Sequence, residues 1–396
     1  MTQVRSPTYN SGSDSASGRL SGSFPPHGSE RAEAWARRHA VVIAAAIAVA
    51  GLALRLLAAR GSFVSPDERL HLQIAGAPTL GETYRTSLYN AHPPLFALLL
   101  HVWSGIVSGP WALRVLLAVL GAAATWPAYR FARSAVGEAA GLVALVQLAF
   151  LPSVVSVSAE LRGYAALLLF SAASMWAVER ATADDERARL WPGVAFWAAV
   201  SALALLSHYA AVWVVGAAAL YGTIRLGRRA LRPAWIAANA FLAGVSAFLW
   251  LTQASALRGG ALEAEAKATW LAESYYSPGR ESALAFLVRQ TAALFAHLYS
   301  TRVAGIAALV LALAGVALLL HRRSPVAVLL AAPFAATAAA GLAGLYPYGG
   351  TRHSIELVLF AAPAVGVALA RATGERVTVA LVLALLLLPA AVAVAL

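Results

Sequence analysis

The sequence predicts an all-α polytopic membrane protein with about eleven transmembrane helices and further helices along the outer membrane surface in its first outer loop. Three observations predict this fold class. Apolar residues make up 60% of the 396 residues and charged residues only 12%, whereas soluble domains carry about 25% charged residues. Long apolar runs repeat along the chain, and basic residues cluster between them. Most of the chain is therefore expected to lie in lipid.

The charge balance predicts orientation in a membrane and argues against nucleic-acid binding. The chain carries 30 Lys and Arg residues against 18 Asp and Glu residues, a formal net charge of +12. These basic residues form short clusters between apolar runs, which is typical of topology signals and not of a phosphate-binding face. We therefore expect a lipid bilayer and no nucleic acid as partner. The chain contains no cysteine, which excludes thiolate nucleophiles and thiolate metal sites in it.

Residues 1–39 are predicted to form a disordered cytoplasmic tail, because Ser, Gly and Pro dominate the first thirty residues. The first apolar run, residues 40–59, is interrupted only by Arg55. It is long enough to cross about 30 Å of hydrocarbon, and it starts too far from the N-terminus for a secretory signal. Residues 40–396 are therefore expected to form one transmembrane domain whose N-terminus is inside.

Ten further apolar runs can cross the membrane. They are residues 111–129, 137–157, 164–180, 191–206, 210–224, 233–252, 303–320, 325–344, 354–370 and 377–395. One more run, residues 93–107, is near the minimum length, and the positive-inside rule decides it. If this run does not cross, the inner segments hold 18 basic residues and the outer segments 10; if it crosses, the numbers become 12 and 16. We therefore expect it to lie along the outer interface.

This topology places nearly every polar residue capable of chemistry on the outer side. The two large outer loops are residues 60–110 and 253–302. Inner loops carry arginine clusters, as anchors facing anionic headgroups do. The active or binding site is therefore expected outside.

Two motifs lie in the first large outer loop. Ser65-Pro66-Asp67-Glu68 follows the first span, and one of its two acids can act as a base while the other holds a cation or a sugar hydroxyl. The alternative is a helix N-cap, which is compatible with that role. Farther along, two prolines fix the backbone beside His92 at the membrane surface. We interpret this loop, with Tyr84 as a sugar or acceptor contact, as the first part of the site.

Two short outer turns add basic and aromatic groups. Glu160 and Arg162 lie in one turn, and Arg114 lies near the outer end of another span. Two arginines suit a lipid phosphate, although a local ion pair and a snorkelling arginine are the alternatives. His208 and Tyr209 form the second turn, where an aromatic interface belt is an equally good interpretation.

A late turn runs Tyr346-Pro347-Tyr348-Gly349-Gly350-Thr351-Arg352-His353. Arg352 can bind a phosphate with two hydrogen bonds, and the tyrosines can stack on a sugar. Glu356 follows on the same helical face as the Arg-His pair. An interfacial turn alone does not require all of these groups.

The ordered set of these motifs, spread over residues 55–357, resembles the integral-membrane glycosyltransferases of the GT-C superfamily. Within it, the set is most similar to the dolichyl-phosphate-mannose protein mannosyltransferase-like family (glycosyltransferase family 39 type), including bacterial relatives similar to the lipid A aminoarabinose transferase. The resemblance implies transfer of a sugar from a polyprenyl-phosphate carrier to a hydroxyl acceptor on the outer face, with inversion and without a nucleotide sugar. His92 stands where the aminoarabinose branch has a lysine, as in the mannosyltransferase branch, which favours mannose.

The resemblance and the residue inventory together assign roles. Asp67 matches the family's catalytic acid and is expected to be the general base, with Glu68 beside it. The donor phosphate is expected to contact Arg352, Arg162, Arg114, His92 and His353. The sugar or acceptor is expected to contact Tyr84, His208, Tyr209, Tyr346 and Tyr348.

The remaining expectations concern partners and alternatives. The acceptor is a glycolipid, a polysaccharide or a protein hydroxyl, and no cofactor is expected. A metal held by Asp67, Glu68, His71 and His92 is conceivable, but no tight ligand spacing occurs and we expect no essential metal. The alternative function is a transporter or flippase of a lipid-linked substrate, although midspan polar residues are few. The protein is expected in the inner (plasma) membrane, and its Arg and Ala richness points to a GC-rich bacterium.

Overall fold

The computed structural model describes residues 28–61, 63–183 and 190–388. Within these ranges the chain forms α-helices, with short 3-10 and π-helical segments and no strand. The helices are α1 (Gly28–Arg38), α2 (Ala40–Arg60), α3 (Pro66–Ala75), α4 (Leu80–Ser87), α5 (Leu95–Ser104), α6 (Pro110–Val136), α7 (Glu138–Phe150), α8 (Pro152–Val157), α9 (Tyr164–Ala181), α10 (Leu190–Ser207), α11 (Ala211–Leu226), α12 (Pro233–Leu249), α13 (Ser255–Leu257), α14 (Ala261–Ala268), α15 (Ala283–Leu298), α16 (Arg302–His321), α17 (Val326–Leu342), α18 (Val358–Ala372) and α19 (Val377–Leu386). The predicted all-α fold class is confirmed.

The long apolar helices correspond to the predicted spans. Eleven runs were expected, and each overlaps one of α2, α6, α9 to α12 or α16 to α19, or α7 and α8 together. The last run was expected over residues 377–395, of which residues 389–395 lie outside the described residues. Among the described residues, five helical stretches are long and apolar enough to cross a membrane unaided. They are Ala40–Arg60, Pro110–Val136, Pro233–Leu257, Arg302–His321 and Arg352–Ala372. The remaining helices that overlap predicted spans are shorter or less apolar, and they pack in the same bundle as these five.

Part of the predicted N-terminal tail is ordered. Residues 28–38 form α1, and Glu33 on this helix accepts the backbone N–H groups of Val377 at 2.8 Å and Thr378 at 3.1 Å. This contact caps the first turn of α19 with a carboxylate, which is favourable at a helix N-terminus. The prediction of disorder is therefore wrong for residues 28–38, and residues 1–27 lie outside the described residues.

The centre of the bundle is α18, which packs between α7 and α16 and is buried along nearly its whole length. Small residues allow the close approach. A side chain at Gly366 would lie 2.6 Å from the carbonyl oxygen of Ala140 on α7. Close backbone contact of this kind replaces the hydrophobic effect as a driving force between helices in lipid.

Arg55, the one interruption of the first apolar run, is fully buried. Its guanidinium donates to the carbonyl oxygens of Leu148 at 2.7 Å and Ala149 at 2.9 Å. These carbonyls belong to the last turn of α7, which ends because Pro152 starts α8 and cannot donate a backbone hydrogen bond. Arg55 therefore stabilises the break between α7 and α8 and fixes the direction in which α8 leads to the next turn.

The first large loop contains α3, α4 and α5, as the sequence predicted for its juxtamembrane helices. With ten residues, α5 rises only about 15 Å, half of a hydrocarbon core. It packs on α3 through a small apolar cluster that includes Phe96 and Leu100. The charge-based prediction that residues 93–107 do not cross agrees with this length.

The second large loop holds a helix that the sequence did not predict. α15 has 16 residues, packs against α16, and stacks Phe295 on Phe334 of α17 at 5.9 Å between ring centroids. The sequence did not predict this helix because polar residues such as Arg289 and Gln290 interrupt its apolar face. It therefore contains no continuous apolar run of the kind that predicts a membrane span. Residues 253–302 are thus largely helical and do not form an open loop.

The bundle has two distinct ends. We call the end formed by residues 63–94, 158–163, 207–210 and 343–353 the site end, because these segments contact one another there. The end formed by residues 130–138, 227–232 and 322–325 is called the opposite end. All four motif-bearing segments of the sequence lie at the site end.

Candidate active site

The first motif starts α3 with a capping box. Ser65 Oγ accepts the backbone N–H of Glu68 at 3.3 Å, and Glu68 Oε2 accepts the backbone N–H of Ser65 at 2.8 Å. Pro66 occupies the first helical position, where its missing N–H costs nothing. The predicted N-cap is confirmed. It also separates the two neighbouring acids: Glu68 is 2% exposed, whereas the Asp67 side chain is 58% exposed.

The carboxylate of Glu68 forms its hydrogen bonds within the protein. Arg114 Nη2 lies 3.0 and 3.1 Å from its two carboxylate oxygens, and the backbone N–H of Leu161 donates to Oε1 at 2.8 Å. Burial raises the pKa of Glu68, but the N–H groups of Leu161 and Ser65 and the Arg114 guanidinium outweigh it and hold the pKa below its ordinary value. This buried pair joins α3 to α6, and the catalytic role of Glu68 and the phosphate-binding role of Arg114 stay predictions.

Asp67 lies between two arginines. Arg162 Nη2 and Arg352 Nη2 both donate to its Oδ2, the latter at 2.9 Å. Glu160 Oε2 completes the arrangement, 3.5 Å from Arg162 Nε and 4.0 Å from Arg352 Nη1. We call these four residues the charge quartet. Their formal charges cancel, and Asp67 is the most exposed of the four side chains.

Burial shifts the titration of the quartet. It raises the pKa of Glu160, although the nearby Arg352 opposes the shift. Burial, together with the like charge of Arg352, lowers the pKa of Arg162 to about 10. Arg162 is still a cation at neutral pH, so both arginines can bind an anion. The local ion pair of Glu160 with Arg162 exists, but the hydrogen bond of Arg162 goes to Asp67 on a different helix.

A glycine allows two turns to meet beside the quartet. A side chain at Gly163 would lie 3.0 Å from the carbonyl oxygen of Ser207. The absence of a Cβ atom therefore lets the turn that carries Arg162 close against the turn that carries His208.

The second turn and the first loop form a histidine cluster, consisting of His71, His92, His208 and Tyr164. Ring centroids lie 5.3 Å apart for His71 and His92, 5.1 Å for His92 and His208, and 5.0 Å for His208 and Tyr164. Within the described part of the chain, the buried atoms His92 Nδ1 and His208 Nε2 have no hydrogen-bond partner. The cluster therefore has hydrogen-bonding capacity that the protein itself does not use.

The histidines of the cluster are neutral at pH 7. Burial lowers the pKa of His71 to about 4, with Glu68 opposing it, and lowers the pKa of His208 to about 3. Burial and the neighbouring His208 bring the pKa of His92 well below its ordinary value. A neutral imidazole can hydrogen-bond to a hydroxyl or to a phosphate oxygen but adds no positive charge, and the role of His92 as a phosphate ligand stays a prediction.

The late turn brings His353 and Tyr346 to the same region. The Tyr346 hydroxyl donates to the carbonyl oxygen of His353 at 3.0 Å, and its ring lies 5.9 Å from Trp213. His353 Nδ1 is buried without a partner among the described residues. Glu356 is fully buried, and neither of its carboxylate oxygens has a hydrogen-bond partner in the described ranges.

The three other predicted sugar or acceptor contacts differ in position. Tyr209 adjoins His208, and its buried hydroxyl lacks a partner in the part of the chain that the structure describes. Tyr348 is 2% exposed and hydrogen-bonds to Thr291 at 2.7 Å, so the prediction for Tyr348 is corrected because it packs onto α15. Tyr84 lies on α4, and over the described ranges no hydrogen bond or ring contact joins it to the quartet or the histidine cluster.

Gln253 is a positioning residue that the sequence did not predict. Its Nε2 lies 2.8 to 2.9 Å from the carbonyl oxygens of Ser87, Asn90 and His92. It belongs to a π-helical turn, Trp250–Ala254, which continues α12. A glutamine at the end of an apolar run was the available signal. Gln253 holds the backbone of the first loop so that His92 stays in the cluster.

A metal is not assigned to this site. No group of three or more His, Asp or Glu side chains among residues 28–61, 63–183 and 190–388 is arranged to hold a metal ion. The expectation that no metal is essential stays a prediction.

The fold defines a class of polytopic all-α membrane proteins, and two solved structures share it. One is the archaeal oligosaccharyltransferase AglB from Archaeoglobus fulgidus, in complex with an inhibitory peptide and a dolichol-phosphate (TM-score 0.57, 16% identity, 91% of this chain and 56% of that chain). The other is ArnT from Cupriavidus metallidurans bound to undecaprenyl phosphate (TM-score 0.53, 14% identity, 85% of this chain and 62% of that chain).

Within this class, the family model for dolichyl-phosphate-mannose-protein mannosyltransferase matches residues 91–251. A search of curated proteins gives no match. The predicted resemblance to GT-C glycosyltransferases of the protein-mannosyltransferase type is thus confirmed. The chain spans only about half to three fifths of the length of the two structures, and at this identity they establish the fold alone.

Proposed function

We propose that this protein transfers a sugar from a polyprenyl-phosphate-linked donor to a hydroxyl acceptor. The observation that carries the proposal is the charge quartet, in which one exposed carboxylate lies between two arginines at the end of a membrane bundle. Arginine binds phosphate oxygens with paired, charge-assisted hydrogen bonds. The dolichol-phosphate in the AglB complex and the undecaprenyl phosphate bound to ArnT support a donor of this class.

The reaction uses Asp67 as the general base. The acceptor oxygen attacks the anomeric carbon of the sugar, the bond from that carbon to the phosphate oxygen breaks, and the acceptor proton moves to Asp67. Polyprenyl phosphate leaves as a dianion, so it needs charge stabilisation and not protonation. Arg162 and Arg352 supply that stabilisation. A single displacement of this kind inverts the anomeric configuration.

The same arginines restrain the base before the donor arrives. Both contact Oδ2 of Asp67, and a carboxylate held by two cations is a weak proton acceptor. The phosphodiester of the donor, which carries one negative charge, competes for these arginines and releases Asp67. The donor is therefore expected to bind before the acceptor hydroxyl is activated.

Charge distribution supports an outer location for the site. The segments predicted to be inner carry 18 basic residues, against 10 in the segments predicted to be outer, which include those of the site end. The positive-inside rule favours the opposite end as cytoplasmic and the site end as the outer face of the plasma membrane. The resemblance through His92 favours mannose as the sugar, and the acceptor is a glycolipid, a polysaccharide or a protein hydroxyl.

The flippase alternative receives no support from the middle of the bundle. Gln147 of α7 is a polar side chain near the middle of the predicted span over residues 137–157. Its Nε2 lies 3.3 Å from the carbonyl oxygen of Ala362, and its Oε1 accepts the hydroxyl of Tyr299. A transport path requires polar groups that a substrate can reach, whereas Gln147 is fully buried.

The decisive experiment replaces Asp67 by Asn in the full chain reconstituted in lipid nanodiscs. Sugar transfer is measured with a panel of polyprenyl-phosphate-linked hexoses and pentoses and a membrane-extract acceptor. Loss of a general base is expected to lower the rate about 10²- to 10⁴-fold, while bare polyprenyl phosphate still binds.

The matched control is Glu82→Gln, which removes one exposed carboxylate from the first turn of α4 in the same loop. It is expected to transfer at the wild-type rate. A D67N protein that transfers as fast as the E82Q protein would overturn the assignment of the base. A wild-type protein that neither binds polyprenyl phosphate nor transfers any sugar of the panel would overturn the function itself.

A further inference from the structure

A cavity of about 340 Å³ adjoins the charge quartet. Glu160 and Arg352 of the quartet form one wall, and the far wall comes from α15 and from the segment between α14 and α15. The volume lies in the range of small-molecule sites, which is about 300 to 1,000 Å³. Because the wall shared with the quartet carries Arg352, a molecule in this cavity lies next to the expected position of the donor phosphate.

Three residues that line this cavity each carry a buried polar atom without a hydrogen-bond partner among the described residues. The atoms are Thr351 Oγ1, His353 Nδ1 and His297 Nε2. Thr351 is the N-cap of the 3-10 helix Arg352–Leu357, yet its hydroxyl caps nothing. About nine in ten buried polar groups in proteins are hydrogen-bonded. Three unpartnered groups in one cavity therefore point to a ligand that supplies the missing hydrogen bonds.

The chemistry of these groups fits hydroxyls and not a second phosphate. A threonine hydroxyl both donates and accepts, and a neutral imidazole has one nitrogen of each kind. Burial and the nearby Arg352 lower the pKa of His297, so this imidazole adds no charge at neutral pH. A sugar ring also donates and accepts through each of its hydroxyls.

Trp270 adds an apolar surface to the same cavity. Its side chain is 58% exposed although it lines the cavity. It belongs to the segment between α14 and the 3-10 helix Ala272–Ser274, at the site end. An exposed indole in the lining of this cavity offers the flat face on which the C–H side of a sugar ring can pack, with polar groups left for its hydroxyls.

We propose that this cavity is a carbohydrate subsite, in which Trp270 packs against a sugar ring and Thr351, His297 and His353 hydrogen-bond to its hydroxyls. The inference rests on the proposed function, since the ring lies beside the bond that the quartet cleaves. The ring belongs to the donor or to a glycan acceptor. Both have the same recognition chemistry, and the experiment distinguishes them.

The test compares the wild type with the double variant Trp270→Ala, Thr351→Val in nanodiscs. Binding is measured for bare polyprenyl phosphate and for the panel of polyprenyl-phosphate-linked hexoses and pentoses, and the KM for acceptor is measured in the transfer assay. If the ring is the donor sugar, the panel member transferred by the wild type binds about tenfold more weakly to the variant, since loss of one or two hydrogen bonds and a stacking contact costs about 1.4 kcal/mol or more. Binding of bare lipid stays unchanged.

If the ring belongs to the acceptor, donor binding is unchanged and the KM for acceptor rises about tenfold instead. An unchanged donor affinity together with an unchanged KM overturns the subsite. Trp191→Ala is the matched control, since Trp191 is equally exposed at 58% but starts α10 away from the cavity. Failure of the subsite leaves bare-lipid binding and transfer intact in the wild type, whereas failure of the proposed function removes both.

Discussion

The two ends of the bundle differ in whether their polar side chains form hydrogen bonds within the protein. At the opposite end, charged groups find partners within the protein: Glu179 accepts hydrogen bonds from Tyr221 and Arg225, and Glu138 pairs with Arg133 at 2.7 Å. At the site end, buried hydrogen-bonding atoms of His92, His208 and Glu356 have no partner among the described residues.

This difference distinguishes residues that stabilise the fold from residues whose hydrogen-bonding groups are available to a ligand. A buried polar group without a hydrogen bond destabilises the fold by about 1 to 3 kcal/mol. A concentration of such groups in one region therefore indicates that a ligand supplies the missing hydrogen bonds. The boundary runs between neighbours in the sequence. Glu68 is paired with Arg114 inside the protein, whereas Asp67, held by Arg162 and Arg352, has a side chain that is 58% exposed.

The largest effect is expected for Glu68→Gln. This change leaves Arg114 buried without its carboxylate, and removal of one partner of a buried ion pair costs about 3 to 5 kcal/mol. The variant should unfold at a lower temperature in detergent than the wild type, as should Glu179→Gln at the opposite end. A stable but inactive E68Q protein would show instead that Glu68 takes part in catalysis.

A slightly smaller effect is expected for the double variant Arg162→Gln, Arg352→Gln. Loss of preorganised donors to a developing phosphate charge is expected to slow transfer about 10²- to 10³-fold, with weaker binding of bare polyprenyl phosphate. The matched control is Arg69→Gln, an exposed arginine on α3 that lies over Phe63. Equal transfer rates in the two variants would contradict phosphate binding by the quartet.

The histidine cluster predicts that stability depends on pH. The folded-state pKa is about 3 for His208 and about 4 for His71, below the ordinary unfolded value near 6.5. As the pH falls below 6.5, the unfolded chain binds protons that the folded cluster does not, so stability decreases between pH 6.5 and about 4. Each histidine contributes at most about 1.4 kcal/mol per pH unit.

Thermal unfolding at pH 7.5 and pH 5 checks this dependence. The variant His208→Gln should lose less stability on acidification than the wild type. His321→Gln, at the exposed end of α16, should behave like the wild type. Equal acid sensitivity in all three proteins would show that the cluster is not neutral.

The smallest effect is expected for Ser65→Ala. It removes half of the capping box of α3 and should cost about 1 kcal/mol, with a several-fold loss of transfer because Asp67 follows two residues later. Thr79→Ala removes the comparable cap of α4, where Thr79 accepts from the backbone N–H of Glu82 at 3.2 Å. It should cost similar stability and leave transfer unchanged. If T79A lost as much transfer as S65A, the loss would come from the reduced stability of the loop helices and not from the position of Asp67.

Much of the fold followed from the sequence, because the spans are set by local apolar length and their direction by charge. These two properties also placed the four motifs at one end, and Asp67, Arg162 and Arg352 do meet there. α15 escaped prediction, since 16 residues with an amphipathic pattern satisfy neither criterion for a span.

The details of the site were less accessible to sequence reasoning. Which of two adjacent acids turns inward depends on the capping box and on Arg114 from another helix, and no local pattern encodes that contact. His297 and Trp270 come from a segment distant in sequence that carries no recognisable motif. Their role emerges only where α15 packs against the late turn.

The shared contact of both arginines with Asp67 Oδ2 also bears on how a turnover ends. After transfer, under the proposed mechanism, the proton resides on Asp67 and the arginines hold the polyprenyl phosphate. Once that proton escapes to water, the carboxylate regains its charge and competes with the product for the same two guanidinium groups. Product release and the resetting of the base then become one event, and its rate is expected to increase with pH.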